Sequence, residues 1–418
     1  MISSAIMKSP LCLETAQGLA RLVPMAELRK WDGWQNAMRA CVKDHRYYEV
    51  VADTLDFNCM AAVLEDRAGV VRAVQPFFFA EQDLVVAAPR AVRLPVAWIR
   101  KIFPRFLRLK MLMVGCAAGE GRIGAEPEDR RWTVETLREP LLRLARTEKA
   151  AIVVWKDFPT DYRTPMAALK EGSRKTAHVQ IPSMPATSMN LDFKNFDEYL
   201  ARRLSRTMRK NLRRKFKTLD KAPPLEFSAT TDLGDDAEAA LALYLQVFQR
   251  SRLQFEKLNV QFLRQLTERM PDRVRYFLWK QEGRLVAFSI CLVHDGALYD
   301  EYLGLDYRVA LDLHLYFVTF RDILSWALKQ GLKSYHSTPL NYDPKFHLDF
   351  ELEPLDLYFA LSWPWLNSLA HPIMRHMGPA ATEPILARFA NAKSMEPQNE
   401  DGASRGSVLE EPLLVRRP

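Results

Sequence analysis

One pattern occurs twice in this chain and limits what it can fold into. Ala62 to Phe79 reads as an apolar strand, a polar turn at Gly69 and a second apolar strand ending in Phe77-Phe78-Phe79. Tyr276 to Val293 reads the same way about Glu282-Gly283. Apolar, β-prone runs on either side of a short glycine-containing turn specify a hairpin. Each hairpin is followed downstream by a helical stretch and a further strand. These are Thr133 to Thr147 with Ala151 to Trp155, and Leu313 to Gln330 with Ser334 to His336, where Gly331 stands at a helix C-terminus. Hairpin, helix and strand in that order, twice, predict two related α/β (α+β) units, each a mixed central sheet flanked by helices.

The join falls between Pro159 and Pro185, a Pro-, Ser- and Thr-rich stretch without a clear period. The expected organisation is a first domain over 1–170, a second over 186–391 and a disordered tail over 392–418. In the second domain a strand at Ser188 to Phe193 precedes one long helix from Phe196 to Leu219 with Asn195 as N-cap. A helix from about Asp235 to Ser251 follows. Five scattered cysteines without a CxxC pair indicate a reducing compartment and no structural zinc. Residues 1–25 lack the pattern of a signal peptide, and the most apolar stretch, Leu94 to Gly115, is interrupted by five Lys/Arg. A cytoplasmic protein is expected. HExxH and EF-hand patterns are absent, so no metal is expected, and without GxSxG no serine-nucleophile chemistry.

The charge is local. Residues 202–221 carry ten Lys/Arg against Asp220 alone, while the whole chain is only +8, so everything else sums to −1. Leu204, Met208, Leu212, Phe216 and Leu219 form an apolar stripe on this helix, leaving Arg206, Arg209, Lys210, Arg213 and Arg214 on a cationic face. Such a face suits an anion: cofactor phosphates, acidic lipid headgroups or nucleic acid. Nucleic acid is disfavoured, because no recognition motif and only one aromatic accompany the patch. An anionic membrane surface fits better with two further clusters, Trp98 to Lys110 and Leu361 to Trp365, which would make the protein peripheral at the inner face of the membrane.

Ser205-Arg-Thr-Met-Arg-Lys-Asn-Leu-Arg-Arg214 resembles the basic helix of FemAB-like proteins in the GNAT acyltransferase superfamily. Phe262 to Met270, Glu282-Gly283 with Val286-Ala287-Phe288, Tyr302-Leu303-Gly304 and the Leu313 helix follow in the family's order. The resemblance covers about 188–350, and the first half resembles the degenerate first copy of two-copy members. It implies transfer of an acyl group from acyl-CoA to an amine, a lipidic or cell-envelope precursor being one candidate acceptor. Aminoacyl-tRNA-dependent addition to a peptidoglycan precursor is the alternative, although no long heptad arm is present. A third reading is a catalytically inactive module that binds membrane or nucleic acid.

The superfamily holds the donor's pyrophosphate on amides at a helix start, here near Asp312, after the strand Leu298 to Leu305. The resemblance thus assigns Leu303, Gly304, Arg308, Asp312, Leu313 and Lys345 to the co-substrate. Leu311 and Leu313 stand where the family's loop has glycines, and their Cβ atoms hinder a close phosphate. For chemistry, Glu301 is the candidate base and Tyr302 the acid, which share a side only if the strand bulges or splays. His314 opens the next helix, where a neutral imidazole is favoured. Lys345 matches the family's lysine, Tyr342 lies close to its expected tyrosine, and His336 could face the cleft from its strand. Gly115 to Gly124 has a phosphate-loop spacing without the lysine and reads as a flexible loop.

Overall fold

The computed structural model describes residues 11–29, 32–83, 90–251, 253–374 and 378–397. Two mixed sheets form its frame. The first has eight strands in the order β1 (Leu11–Thr15), β2 (Gly18–Pro24), β3 (Asn58–Asp66), β4 (Val71–Asp83), β5 (Arg108–Val114), β6 (Ile152–Pro159), β15 (Leu355–Leu361), β7 (Val179–Pro182). The second has seven: β14 (Glu351–Glu353), β8 (Ala186–Asn190), β13 (Ser334–Ser337), β12 (Ala297–Leu305), β11 (Arg284–His294), β10 (Val274–Gln281), β9 (Leu225–Thr230). The helices are α1 (Met25–Leu28), α2 (Asp32–Ala37), α3 (His45–Thr54), α4 (Arg90–Ile99), α5 (Arg130–Thr147) and α6 (Arg163–Met166) in the first part of the chain. Then come α7 (Phe196–Arg203), α8 (Arg206–Phe216), α9 (Ala237–Arg250), α10 (Val260–Arg269), α11 (Leu315–Lys329), α12 (Tyr342–His347) and α13 (Pro364–Met374).

The repeated pattern is a repeated topology. β3–β4 and β10–β11 are the hairpins, the second closed by Glu282 and Gly283, both at positive φ, as a two-residue turn matched to strand twist requires. In each half a third antiparallel strand, β5 or β12, leads through a helix, α5 or α11, to a parallel neighbour, β6 or β13. The halves also exchange strands. β7 lies on the edge of the first sheet while β8 crosses to pair with β13, and β14 lies on the edge of the second while β15 returns to pair with β6. Residues 355–361, within the stretch assigned to the second domain, therefore sit in the first sheet.

Buried apolar residues run without interruption from α3 and β4 into α9, α10 and β10–β11, so the halves share a core. Tyr47 of α3 meets Phe262 of α10 edge to face at 6.1 Å. Around that contact Arg46 chelates Asp272 at 2.7 and 2.9 Å, and Arg273 reaches Asp44 at 3.2 Å.

Four local readings change. The helix expected over 196–219 is two, because Ser205 takes an extended conformation and accepts the amide of Met208, capping α8 at the break. The stretch before Pro185 holds α6 and β7. Residues 392–395 form a 3-10 turn, and the tail from 398 onward lies outside the described residues. The glycine-rich loop is not flexible: its residues are largely buried and pinned between β4 and β6.

Candidate active site

β12 and β13 pair in parallel only from Ala297–Ser334 to Asp300–Ser337, yet β12 runs on to Leu305. Beyond Ser337 the chain leaves the sheet, held by the Thr338 hydroxyl donating to the Glu301 carbonyl at 3.3 Å, and a gap opens beside β12. At the same point β12 bulges. Ile290 opposes Tyr302 and Cys291 opposes Asp300, which leaves Glu301 without a partner residue. A bulge re-aims the side chains around it. Asp300 points to one face, accepting from Ser289 at 2.6 Å and Tyr335 at 2.7 Å. Glu301 and Tyr302 both point to the other, Glu301 onto Lys43 of the first half and Tyr302 onto Phe262 of α10.

There Glu301 meets Lys43, whose Nζ lies 2.8 Å from it and 3.1 Å from Glu120. Lys43 comes from the turn before α3 and Glu120 from the glycine-rich loop. Glu120 and Glu301 line one wall of a cavity of about 290 Å³ at the seam of the two halves, with Lys43 bridging them. The cavity's other polar walls include Arg122, His336 and Glu353. His336 stacks on Tyr299 at 4.5 Å, its Nδ1 2.9 Å from Glu353 and its Nε2 2.9 Å from the Ser334 hydroxyl.

One ammonium faces two carboxylates, so the trio is net negative unless a carboxyl holds a proton. Glu301 is the deeper of the two. Burial pushes it up to about 7 against the pull of Lys43. Burial also opposes ionisation of Glu120, but Lys43 and Arg122 outweigh it and hold that group at about 2. Lys43 itself stays charged, because Glu120 and Glu301 overcome its desolvation.

The sequence-predicted residues separate into three places. Glu301 and His336 line the cavity. Tyr302 does not: its hydroxyl donates to Glu256 at 3.2 Å among Tyr244 and Phe262, and burial holds it well above the usual phenol range. Leu303 and Gly304 continue β12, and a Cβ on Gly304 would strike the Phe288 ring and the Tyr244 amide nitrogen. Tyr342 is buried with its hydroxyl on the Pro185 carbonyl at 2.7 Å, away from the cavity lining. Lys345 is also buried, donating to the Thr338 carbonyl, and burial pulls it down to about 7.

The third place is the start of α11. Leu315 begins the helix, after a turn most of whose amides are already used. Those of Val309, Ala310, Leu313, His314 and Leu315 donate to carbonyls within the turn. Asp306 accepts the Arg308 amide and ties down its guanidinium at 2.7 Å. Asp312 is exposed and Leu313 buried. His314 takes a left-handed conformation at φ 51°. Burial and then the charges of Lys215 and Arg214 depress its pKa, and Lys215 lies 4.4 Å over the Phe317 ring. The basic helix thus packs beside the start of α11. Arg206, Lys210, Arg213 and Arg214 are exposed on it, and Arg209 is turned back onto the Leu204 carbonyl at 2.7 Å.

Lys43, Glu120 and Arg122 escaped the sequence reading. The only signal for the last two was the glycine spacing around them. Lys43 had none, since its role arises from the packing of the first half on β12.

Residues 206–345 match the family model of the acetyltransferase (GNAT) domain. The second half carries a GNAT domain. Its first-half partner repeats the same strand order, so the fold is a tandem GNAT-like one, and the domain match supports an acyl-transferring enzyme. No curated protein matches the sequence. Solved structures similar to it include FemX (11% identity, 83% of this chain and 98% of that one, TM-score 0.46). L-PGS from Bacillus licheniformis is 11% identical over 72% and 83% with TM-score 0.44. N-myristoyltransferase of Saccharomyces cerevisiae with bound myristoyl-CoA is 10% identical over 86% and 85% with TM-score 0.45. Among the described residues no group of His, Cys, Asp and Glu could hold a metal ion, and no helix is long and apolar enough to cross a membrane.

Proposed function

We propose that the GNAT domain acylates a primary amine in the cavity between the halves, with acyl-CoA as donor and Glu301 as base. The observation that carries this is a buried carboxyl raised to about 7 where the strand splays, in a cavity also walled by Glu120 and Glu353. Anionic walls favour an incoming ammonium, and a base near pH 7 is matched to removing its proton. Glu301 takes one proton from the ammonium, and the amine nitrogen attacks the acyl carbonyl. A C–N bond forms, the C–S bond breaks, and the nitrogen's second proton leaves with the thiolate as free thiol. Among the described residues, β12 beyond Asp300 has no strand partner on its gap side, so amides there would be available to the carbonyl oxygen as it gains charge.

Most amides of the turn before α11 donate to its own carbonyls, which leaves few to cradle a pyrophosphate. The cations beside it fit the group instead: Arg214 and Lys215 flank His314 at the positive end of α11. The donor's phosphates would be held by those side chains. The exposed face of Arg206, Lys210 and Arg213 is wider than one pyrophosphate needs, and this favours an aminoacyl-tRNA donor as the second reading.

The test is thermal stability with acetyl-CoA, long-chain acyl-CoA, free CoA and no ligand. A true donor at about a hundred times its Kd adds roughly 2.7 kcal/mol. No shift with any CoA, together with binding of tRNA that weakens steeply with salt, overturns the CoA reading in favour of the second.

A further inference from the structure

We propose that one end of the first sheet is a docking surface for an anionic lipid membrane, separate from the acyl-transfer cavity. Two apolar ridges leave the molecule there. Leu94, Trp98 and Ile102 recur every four residues along α4 and the turn after it, and Trp365, Leu369 and Ile373 do so along α13. All six are exposed, with Trp98, Ile102 and Leu369 at 70% or more. Side chains of this size at such exposure have no function within the fold itself.

Strand register places the ridges side by side. α4 lies between the end of β4 and the start of β5, where Asp83 pairs with Arg108. α13 starts three residues after Leu361 ends β15. Leu361 pairs with Ile152 of β6, and Ile152 with Met111 of β5. Both ridges therefore emerge from one end of the sheet, within about 10 Å in the strand-to-strand direction. The cavity is at the other end of β6, at Pro159 and Thr160. Seven residues of strand put it roughly 23 Å away. The surface is a tether, and it does not depend on which acyl donor or amine the cavity accepts.

Charge selects the occupant. From Arg90 to Lys110 the chain carries seven Lys/Arg and no acid, and Leu361 to Thr382 also lacks an acid. Arg100 is committed to Asp83 through two bonds of 2.7 Å, and Lys110 to Glu148 at 3.2 Å. Lys101, 5.9 Å from the Trp98 ring centre, and Arg105 stand among the exposed aromatics. Trp and Phe at headgroup depth with Lys and Arg beside them match an anionic bilayer surface. A second copy of the same patch would bring like charges together.

Flotation of the full chain with phosphatidylcholine vesicles, with and without about 30 mol % phosphatidylglycerol, tests this. The anionic vesicles should carry the protein and the neutral ones should carry about tenfold less or none. Trp98→Ser with Ile102→Ser, and separately Trp365→Ser with Leu369→Ser, should each cut anionic binding about tenfold while leaving the melting temperature and donor-induced stabilisation unchanged. Failure of the wild type to float with anionic vesicles overturns the proposal. So does a dimer, read by light scattering, that the same substitutions dissolve.

Discussion

In the first sheet the parallel pair β5–β6 ends at Val114 and Trp155, and the space beyond is filled by residues 115–124. In the second, the corresponding pair β12–β13 ends at Asp300 and Ser337, and the space beyond faces a cavity. The filling is specific. The Gly121 amide donates to the Asp157 carbonyl at 2.9 Å, Lys156 to the Gly119 carbonyl at 3.0 Å, and Gly124 to the Gln75 side chain at 3.1 Å. A Cβ on Gly121 would come within 2.3 Å of the Lys156 carbonyl oxygen. The same crossover thus serves as a wall in one half and as a site in the other. The wall also supplies Glu120 and Arg122 to its partner's cavity, and the missing Cβ of Gly119 leaves the path along which Lys43 reaches Glu301.

The sharpest way to break this comparison is Glu301→Gln. It should lower turnover about 10²–10⁴-fold without unfolding the protein, and wild-type turnover in this variant would remove the second half's claim to the chemistry. The pH profile carries the same information. The base is active when deprotonated, so wild-type turnover should climb through about pH 7. Stability should move the opposite way. The folded carboxyl holds a proton that the unfolded one, at about 4.3, has released, so wild-type stability relative to Glu301→Gln falls as pH rises across that window. Denaturant unfolding at several pH values reads it.

Next in size is Lys43→Met, which leaves two buried carboxylates facing each other without their cation. The loss should be about 3 kcal/mol, greater above pH 7 than below, because Glu301 can escape the repulsion only by staying protonated. A pH-independent loss would mean that the trio is not coupled. Gly121→Val tests the wall itself. The side chain meets backbone that cannot give way, so about 2–3 kcal/mol is expected from overpacking, with a misplaced Glu120 and reduced turnover as the accompanying sign.

These predictions rest on residues of unequal legibility. Both hairpins, the helix and strand after each, and the order of pieces around Glu301 could be read because local pattern specifies them. The bulge could be named as a requirement for Glu301 and Tyr302 to share a side, but not as a fact, since it depends on how β11 pairs. Exchange of β8 and β15 between sheets was illegible, because a strand carries no mark of which sheet receives it. Lys43 lies more than 250 residues from Glu301 and in no motif, so its partner appears only when α3 packs on α10.

The smallest effect separates the two donors. Arg206→Ala, Lys210→Ala and Arg213→Ala lie on the solvent face of α8, so each should change stability by no more than about 0.5 kcal/mol. Their effect on donor binding depends on how far the donor extends along that face. A CoA held at the start of α11 by Arg214 and Lys215 should lose little affinity in the triple variant. An RNA lying along the helix should bind several-fold more weakly per substitution, with its salt dependence shallower by about one counterion for each phosphate that the variant no longer neutralises. Titrating the wild type and triple variant with each donor at two salt concentrations measures both. If the triple variant binds acyl-CoA as the wild type does, and the wild type shows no salt-dependent RNA binding, the outer face of α8 is solvated surface. The donor site then narrows to Arg214, Lys215 and the first turn of α11.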